Sequence, residues 1–185
     1  MKKWRAIRPD IYLSINLSVQ HFLEDNLIHY LKNILQEHDL PPEALKFEVT
    51  ESMLISDPDK AIATMTALDK LGVVLALDDF GTGYSSLSYL KKLPLKILKI
   101  DRSFISGIGI NSADEAIVAA TLVLAKNLKM ICIAEGVENE IQLKFLGEKH
   151  CHLIQGYLYS KPVGAAKIEQ FLHDDIIAIK VNKPE

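Results

Sequence analysis

Short apolar runs rich in β-branched residues alternate with longer stretches of helical period, and this alternation restricts the chain to few folds. The predicted strands span 11–16, 45–50, 73–78, 95–100, 130–135 and 152–156. The predicted helices span 20–37, 58–71, 84–92, 113–128, 138–147 and 165–174. Because parallel strands need crossover connections, alternating elements favour an α/β fold with a mainly parallel sheet covered by helices.

Two architectures satisfy this order, a doubly wound open sheet and a TIM-barrel-like (β/α)8 fold of which about six βα units are present. The open-sheet nucleotide folds lose their best signatures, because no GxGxxG follows the first strand and no GxxxxGK[ST] occurs. A complete barrel takes about 250 residues, so a chain of 185 is short for it. We expect residues 1–185 to form one domain.

Helix ends and faces can also be assigned from the residue pattern. Asp57-Pro58 is expected to begin the helix at 58–71, and Gly72 to end it, because glycine adopts left-handed backbone geometry at low cost. The helix at 113–128 is expected to bury one face at three- and four-residue spacing. The residues of that face are Ile117, Ala120, Thr121, Leu124 and Leu128.

Composition and charge exclude several classes of protein. The net charge of -3 argues against binding to a nucleic-acid polymer. No apolar stretch of about 18 residues occurs, so no membrane segment is expected. The opening MKKWR precedes a polar, proline-containing segment and does not resemble a signal peptide. Together with only two cysteines, Cys132 and Cys151, these features favour a cytoplasmic location.

Polar side chains follow every predicted strand, at the point where each strand ends. They are Asn16, Glu48 with Glu51, Asp78 with Asp79, Lys99 with Asp101, Glu135, and Gln155. In a parallel α/β fold all these strand ends lie on one rim, where barrel enzymes place their chemistry. A single acidic residue there could simply cap a helix, but six consecutive strands together predict a shared site.

This donor set predicts a particular chemistry. Five of these carboxylates, crowded without cations, would raise one another's pKa, and divalent cations remove that conflict. The five are Glu48, Asp78, Asp79, Asp101 and Glu135. Oxygen ligands without paired His or Cys favour Mg²⁺ or Mn²⁺ over Zn²⁺. A two-metal carboxylate site beside a lysine suits attack of water on a phosphodiester. Lys99 could orient that water or offset charge on the phosphate.

The segment after the third strand, Asp79 to Ser86, contains two glycines and several hydroxyl groups. Gly81 and Gly83, with Thr82 between them, permit tight turns and close backbone approach to a ligand. An Asp-Phe-Gly triplet also occurs in protein kinases, but the other kinase signatures are missing from this chain.

Several segments resemble the EAL domain family, which hydrolyses the bacterial second messenger cyclic di-GMP. They occur in the family's order, and the block DDFGTGYSSL followed downstream by AEGVE is the most specific of them. The matching segments are 15–18 (INLS), 48–52 (EVTES), 78–87 (DDFGTGYSSL), 99–101 (KID), 134–138 (AEGVE) and 155–157 (QGY).

The resemblance implies a modified (β/α)8 barrel that linearises cyclic di-GMP to pGpG with Mg²⁺ or Mn²⁺. It implies a first metal held by Asn16, Glu48 and Asp78, and a second surrounded by Asp78, Asp79 and Asp101. It implies that Lys99 and Glu135 contact or activate the attacking water, and that Glu51 anchors the loop beginning at Asp79. Substrate contacts are expected from Gln155, Asp79, Gly81, Thr82 and Gly83.

The chain departs from the family at its N-terminal side. The family's first metal is also held by the glutamate of a Glu-Ala-Leu strand, and no such triplet occurs before Asn16. Glu43-Ala44-Leu45 spells the triplet, but it enters the Glu48 strand and is expected to be coincidental. We therefore expect two strands to be missing and activity to be impaired.

Three functional hypotheses remain: a phosphodiesterase, a nucleotide-binding or interaction module without turnover, and an inert fragment of a signalling protein. Strands 11–16 and 152–156 would be open edges, and open edges invite pairing. We therefore expect a homodimer, or other association through these edges, unless rearranged terminal segments cover them. A fused or separate GGDEF or sensor domain is a further expected partner.

Overall fold

The computed structural model describes residues 1–81 and 90–174, with the side chains of 54–56 excepted. The described residues contain one sheet whose six strands follow one another in chain order. Every neighbouring pair is parallel. The strands are β1 (Leu13–Asn16), β2 (Leu45–Thr50), β3 (Val74–Phe80), β4 (Ile97–Ile100), β5 (Ile131–Glu135) and β6 (Leu153–Gln155). The predicted α/β, TIM-barrel-like class is confirmed, and the strands with their helices form a half-barrel.

Helices connect these strands. They are α1 (Lys2–Ile7), α2 (Val19–Phe22), α3 (Leu27–Glu37), α4 (Glu51–Ser56), α5 (Pro58–Leu71), α6 (Arg102–Ser106), α7 (Ser112–Asn127), α8 (Glu140–Glu148) and α9 (Ala165–His173). The helix predicted at 20–37 is two helices, because the segment between α2 and α3 leaves helical geometry. The sequence pattern missed α1, α4 and α6. Most of the helix predicted at 84–92 lies outside the described residues.

The predicted ends of α5 are confirmed by the backbone. The Asp57 side chain accepts a hydrogen bond from the Lys60 amide at 3.1 Å, with Pro58 at the first helical position. Gly72 ends the helix with a φ of 97°. Such a φ suits glycine because it has no Cβ.

The core lies between the sheet and the helices on its outer side. Its fully buried side chains include Leu75 and Leu77 of β3 and Leu98 of β4. The face predicted for α7 was wrong in part: Thr121 is buried, but its buried companions are Val118 and Ala125. Ile117 is 39% exposed. Apolar residues surround much of α7, so periodicity alone could not fix its rotation.

The sheet ends in two strands with one neighbour each within the described part of the chain, since β1 pairs with β2 and β6 with β5. The half-barrel is nevertheless bridged at its ends, because α1 contacts α9. There the Trp4 indole Nε1 donates a hydrogen bond to Glu169 Oε1 at 3.1 Å. Leu13 on β1 and Leu153 on β6 remain exposed. None of the helices in the described ranges is both long and apolar enough to cross a membrane.

Candidate active site

The parallel sheet brings the predicted polar residues to one rim. Asn16 is the last residue of β1 and lies opposite Glu48 of β2. Glu135 ends β5 and lies opposite Gln155, the last residue of β6. Asp78 lies near the end of β3, opposite Thr50. The expectation that successive strand ends meet therefore agrees with the register of the sheet.

Lys99 of β4 is the centre of this rim. Its ammonium Nζ lies 2.6 Å from Glu48 Oε2, 2.7 Å from Glu135 Oε1 and 3.0 Å from Asp78 Oδ1. The Lys99 side chain is only 4% exposed, and the three carboxylate side chains are between 11% and 17% exposed. The strands β2, β3, β4 and β5 thus place one cation and three anions in a cluster that is largely shielded from solvent.

The cluster perturbs the titration of its members. Burial by itself would lower the pKa of Lys99, but hydrogen bonds to Glu135, Glu48 and Asp78 outweigh it and raise that pKa well above its usual value. Burial raises the pKa of Glu135. The Lys99 ammonium opposes that rise, while the Asp78 and Glu48 charges add to it. Lys99 is therefore held as an ammonium.

Asp79 and Asp101 lie beside this cluster and differ from each other. Asp79 has a φ of 54°, and its amide donates to Asp78 Oδ1 at 3.1 Å. Burial, together with the Asp78 and Asp101 charges, raises the pKa of Asp79. Asp101 caps α6, where its Oδ1 accepts from the Ser103 amide at 2.9 Å and from the Ser103 hydroxyl. Burial would raise the pKa of Asp101, but the Ser103 bonds lower it.

The oxygens of the rim are close enough to share a cation. Ligand oxygens of Asp78, Asp79 and Glu135 all lie within 4.8 Å of one another. These are hard donors of the kind that Mg²⁺ and Mn²⁺ prefer. Lys99 contacts three carboxylates, and Asp79 and Asp101 lie beside them, so the site carries excess negative charge that a cation would offset. These oxygen donors are therefore suited to a divalent metal ion such as the Mg²⁺ or Mn²⁺ expected from the sequence.

Glu51 holds the backbone where the third strand ends. Glu51 is only 6% exposed, and its Oε1 accepts a hydrogen bond from the Gly81 amide at 3.1 Å. Its Oε2 is buried without a hydrogen-bond partner among the described residues. Gly81 has a φ of 98°, and a Cβ there would meet the Phe104 ring at 3.0 Å. Thr82 and Gly83, which were predicted to contact substrate, lie outside the described residues.

A cleft of about 500 Å³ opens beside the cluster. Asp79, Asp101, Glu135 and Gln155 contribute to its wall, so the predicted edge residue Gln155 faces the same space as three carboxylates. A Cβ on Gly156 would lie 2.1 Å from the Val137 carbonyl oxygen. Two stretches of backbone therefore touch here, immediately behind Gln155.

The coincidental triplet lies away from the site, whereas one residue that was not predicted belongs to it. Glu43 and Ala44 lie in a 3-10 helix, Pro42–Ala44, and Leu45 begins β2, so this Glu-Ala-Leu sits at the amino end of the sheet. Ser14, which sequence reasoning missed, donates its hydroxyl to Glu48 Oε1 at 2.5 Å. The available signal was its position two residues before Asn16, on the same face of β1.

Comparisons with known proteins identify the family and the fold that this chain resembles. The profile of the EAL domain family matches residues 1–162. Among curated proteins, the cyclic di-GMP phosphodiesterase NbdA of Pseudomonas aeruginosa is 42% identical over 160 residues. The match covers 86% of this chain but 20% of NbdA, so the chain spans about a fifth of that relative's length.

Solved structures match the fold as well as the sequence. The complex of the phosphodiesterase PaMucR with cyclic di-GMP has a TM-score of 0.83 and 42% identity, covering 87% of this chain and 65% of PaMucR. Klebsiella pneumoniae BlrP1, solved with manganese and cyclic di-GMP, has a TM-score of 0.78 and 31% identity. That match covers 86% of this chain and 41% of BlrP1.

Proposed function

The chain belongs to the EAL domain family, and we propose that its polar rim hydrolyses cyclic di-GMP to linear pGpG with the help of divalent cations. The observation that carries this proposal is the convergence of Glu48, Asp78 and Glu135 on Lys99. Such a cluster, at the carboxyl ends of parallel strands and beside an open cleft, is where barrel enzymes act. The substrate is proposed because NbdA and PaMucR are named for it.

The proposed ligands follow the oxygen donors of the rim. Asn16, Glu48 and Asp78 would hold one cation, and Asp78, Asp79 and Asp101 a second. Mg²⁺ or Mn²⁺ bound there would provide an activated water and offset charge on the phosphate. The manganese in the BlrP1 structure supports the choice of ion.

The chain's own groups have separate proposed roles. Lys99, held as an ammonium, donates to the attacking water or to a phosphate oxygen, and Glu135 orients that water. Gln155 contacts substrate from the cleft wall. Glu51 fixes the Gly81 amide and with it the start of the segment that would meet the substrate. Thr82 and Gly83 of that segment are proposed substrate contacts as well.

Residues 1–185 assayed alone should turn over slowly. The rim contains Asn16, Glu48 and Asp78, but Glu43 lies at the other end of the sheet and cannot replace the Glu-Ala-Leu glutamate. Mutating a residue that only supports a metal ligand commonly weakens metal binding about 10–100-fold, so loss of a ligand itself should weaken binding at least as much. Within residues 1–185, a rim without that glutamate also favours the second candidate function, which is binding of cyclic di-GMP without cleavage.

The decisive assay separates pGpG from cyclic di-GMP by chromatography after incubation with Mn²⁺. We expect slow product formation, lost in Glu135→Ala and kept in Glu148→Ala, an exposed glutamate at the end of α8. Equal background rates in all three proteins would end the phosphodiesterase proposal. Calorimetry would then decide the second candidate, since binding without turnover supports it and absence of binding removes it.

Association is proposed from the two open strands. Among the described residues, β1 and β6 each have one edge without a paired strand, so a homodimer through these edges is expected. Analytical ultracentrifugation of the chain would test it, and a monomer at all concentrations would refute it. A fused GGDEF or sensor domain is also proposed, because the curated relative MucR is named as both diguanylate cyclase and phosphodiesterase and this chain covers 23% of it.

A further inference from the structure

We propose that Ser14 is a positioning residue that fixes the Glu48 carboxylate for cation binding. The inference rests on the metal-dependent function proposed above, but its geometry comes from this chain alone. Ser14 and Asn16 lie two residues apart on β1, so both side chains point to the same face as Glu48 of β2. The Ser14 hydroxyl donates to Glu48 Oε1 at 2.5 Å.

Glu48 is held from two sides. Its Oε1 accepts from Ser14, and its Oε2 lies 2.6 Å from the Lys99 ammonium. Because the two donors come from β1 and β4, on opposite sides of β2, they fix both the rotation and the tilt of the carboxylate. A carboxylate restrained in this way presents its remaining lone pairs in one direction. Hydrogen bonds of this kind set the geometry and basicity of metal-binding side chains.

The two donors differ in what they do when a cation arrives. Lys99 also contacts Asp78 and Glu135, so its ammonium is shared among three anions and is repelled by an incoming cation. Ser14 carries no charge, so it can keep its hydrogen bond while Glu48 binds a metal. Ser14 is therefore the donor that holds Glu48 in place in the metal-bound state.

Ser14 also lies on the open side of the site. It belongs to β1, whose other edge has no paired strand among the described residues, and the residue is exposed. A single hydrogen bond there has little packing to support it. Its loss should therefore free the Glu48 carboxylate to reorient while the strands of the sheet stay paired.

The first test measures the hydrogen bond without metal. Unfolding of the whole chain in urea with EDTA is compared for Ser14→Ala, Glu48→Ala and the double variant. We expect the two substitutions to be non-additive by about tenfold in the unfolding equilibrium constant, because the charged acceptor strengthens the bond. Additive effects would overturn the proposal.

The second test measures Mn²⁺ affinity by calorimetry. Ser14→Ala should bind Mn²⁺ about 10–100-fold more weakly. Ser14→Thr, which keeps the hydroxyl, should remain close to the unsubstituted chain, as should Ser112→Ala, an exposed serine at the start of α7. Unchanged affinity in Ser14→Ala, or equal losses in the Ala and Thr variants, would overturn the positioning role.

The two failures can be told apart. If the unsubstituted chain binds no Mn²⁺ while the metal-free coupling between Ser14 and Glu48 persists, the metal-dependent function fails and the hydrogen bond stands. If Mn²⁺ binds normally but Ser14→Ala changes neither coupling nor affinity, the function stands and the role of Ser14 is refuted.

Discussion

Replacing Lys99 with methionine removes a cation that contacts three carboxylates at once. Methionine keeps the length of the buried stem, so the change isolates the ammonium. Glu48, Asp78 and Glu135 lose contacts of 2.6, 3.0 and 2.7 Å and are left facing one another. We therefore expect Lys99→Met to destabilise the metal-free protein strongly.

The magnitude follows from burial and the number of partners. Charge-assisted hydrogen bonds contribute about 1.5–3 kcal/mol each, but three bonds to one ammonium do not add. Removing one member of a buried ion pair costs about 3–5 kcal/mol. Lys99 has three partners rather than one, but the carboxylates are 11–17% exposed, so water can relieve part of the repulsion between them. We therefore expect the free energy of unfolding to fall by about 3–5 kcal/mol, as for a single buried pair. That is a large part of the stability of an ordinary domain.

The assay is urea unfolding in EDTA, followed by circular dichroism. Lys96→Met is the matched control, because its ammonium lies 3.5 Å from Asp69 and the two side chains are 58% and 38% exposed. An exposed pair contributes about 0–1 kcal/mol. Divalent cations should restore more stability to Lys99→Met than to the unsubstituted chain, since Lys99 is the cation that pairs with these three carboxylates among the described residues. Equal losses in the two variants would refute the central role of Lys99.

Two further predictions concern the backbone around the site. Gly156→Ala should destabilise the chain by more than about 1 kcal/mol, because the new Cβ would lie 2.1 Å from the Val137 carbonyl oxygen. Gly147→Ala is the control. Its new Cβ would enter open space on α8, so this change should stabilise the chain by about 0.5–1 kcal/mol. Equal thermal shifts in the two variants would contradict this. Glu51→Ala should cost about 1–3 kcal/mol and speed hydrogen exchange at the Gly81 amide, which loses its acceptor. Unchanged exchange at Gly81 would show that Glu51 does not anchor this backbone.

The sequence predicted well those strands and helices whose ends are marked by capping or turn residues or by a clear apolar pattern. β2 matches the predicted 45–50, and α5 matches 58–71, because Asp57, Pro58 and Gly72 mark its ends. The short helices α4 and α6 were missed because each begins directly after a strand and is too short to show a period. The rotation of α7 was missed because contacts with the sheet, rather than its own pattern, select the buried face.

The rim itself was predictable, whereas its internal pairing was not. Parallel order places strand ends together, so Asn16 through Gln155 could be assigned to one site from the sequence. Which oxygen meets which donor depends on the curvature of the sheet and the register of each strand. For that reason the sequence indicated a lysine near the carboxylates but not its contact with three of them. Ser14 was missed because its only signal was its spacing from Asn16, and a serine in a strand is otherwise not distinctive.

The position of the cluster within the sheet determines how strongly the two edge strands affect it. Glu48, Asp78, Lys99 and Glu135 come from β2, β3, β4 and β5, each of which has a neighbour on both sides. Asn16 and Gln155 instead come from β1 and β6, the two edge strands, and both are exposed. The central cluster should therefore form whether or not another chain covers the edges. Any segment or partner that pairs with β1 would act on Asn16 and Ser14, and hence on metal affinity, before it affects the Lys99 cluster.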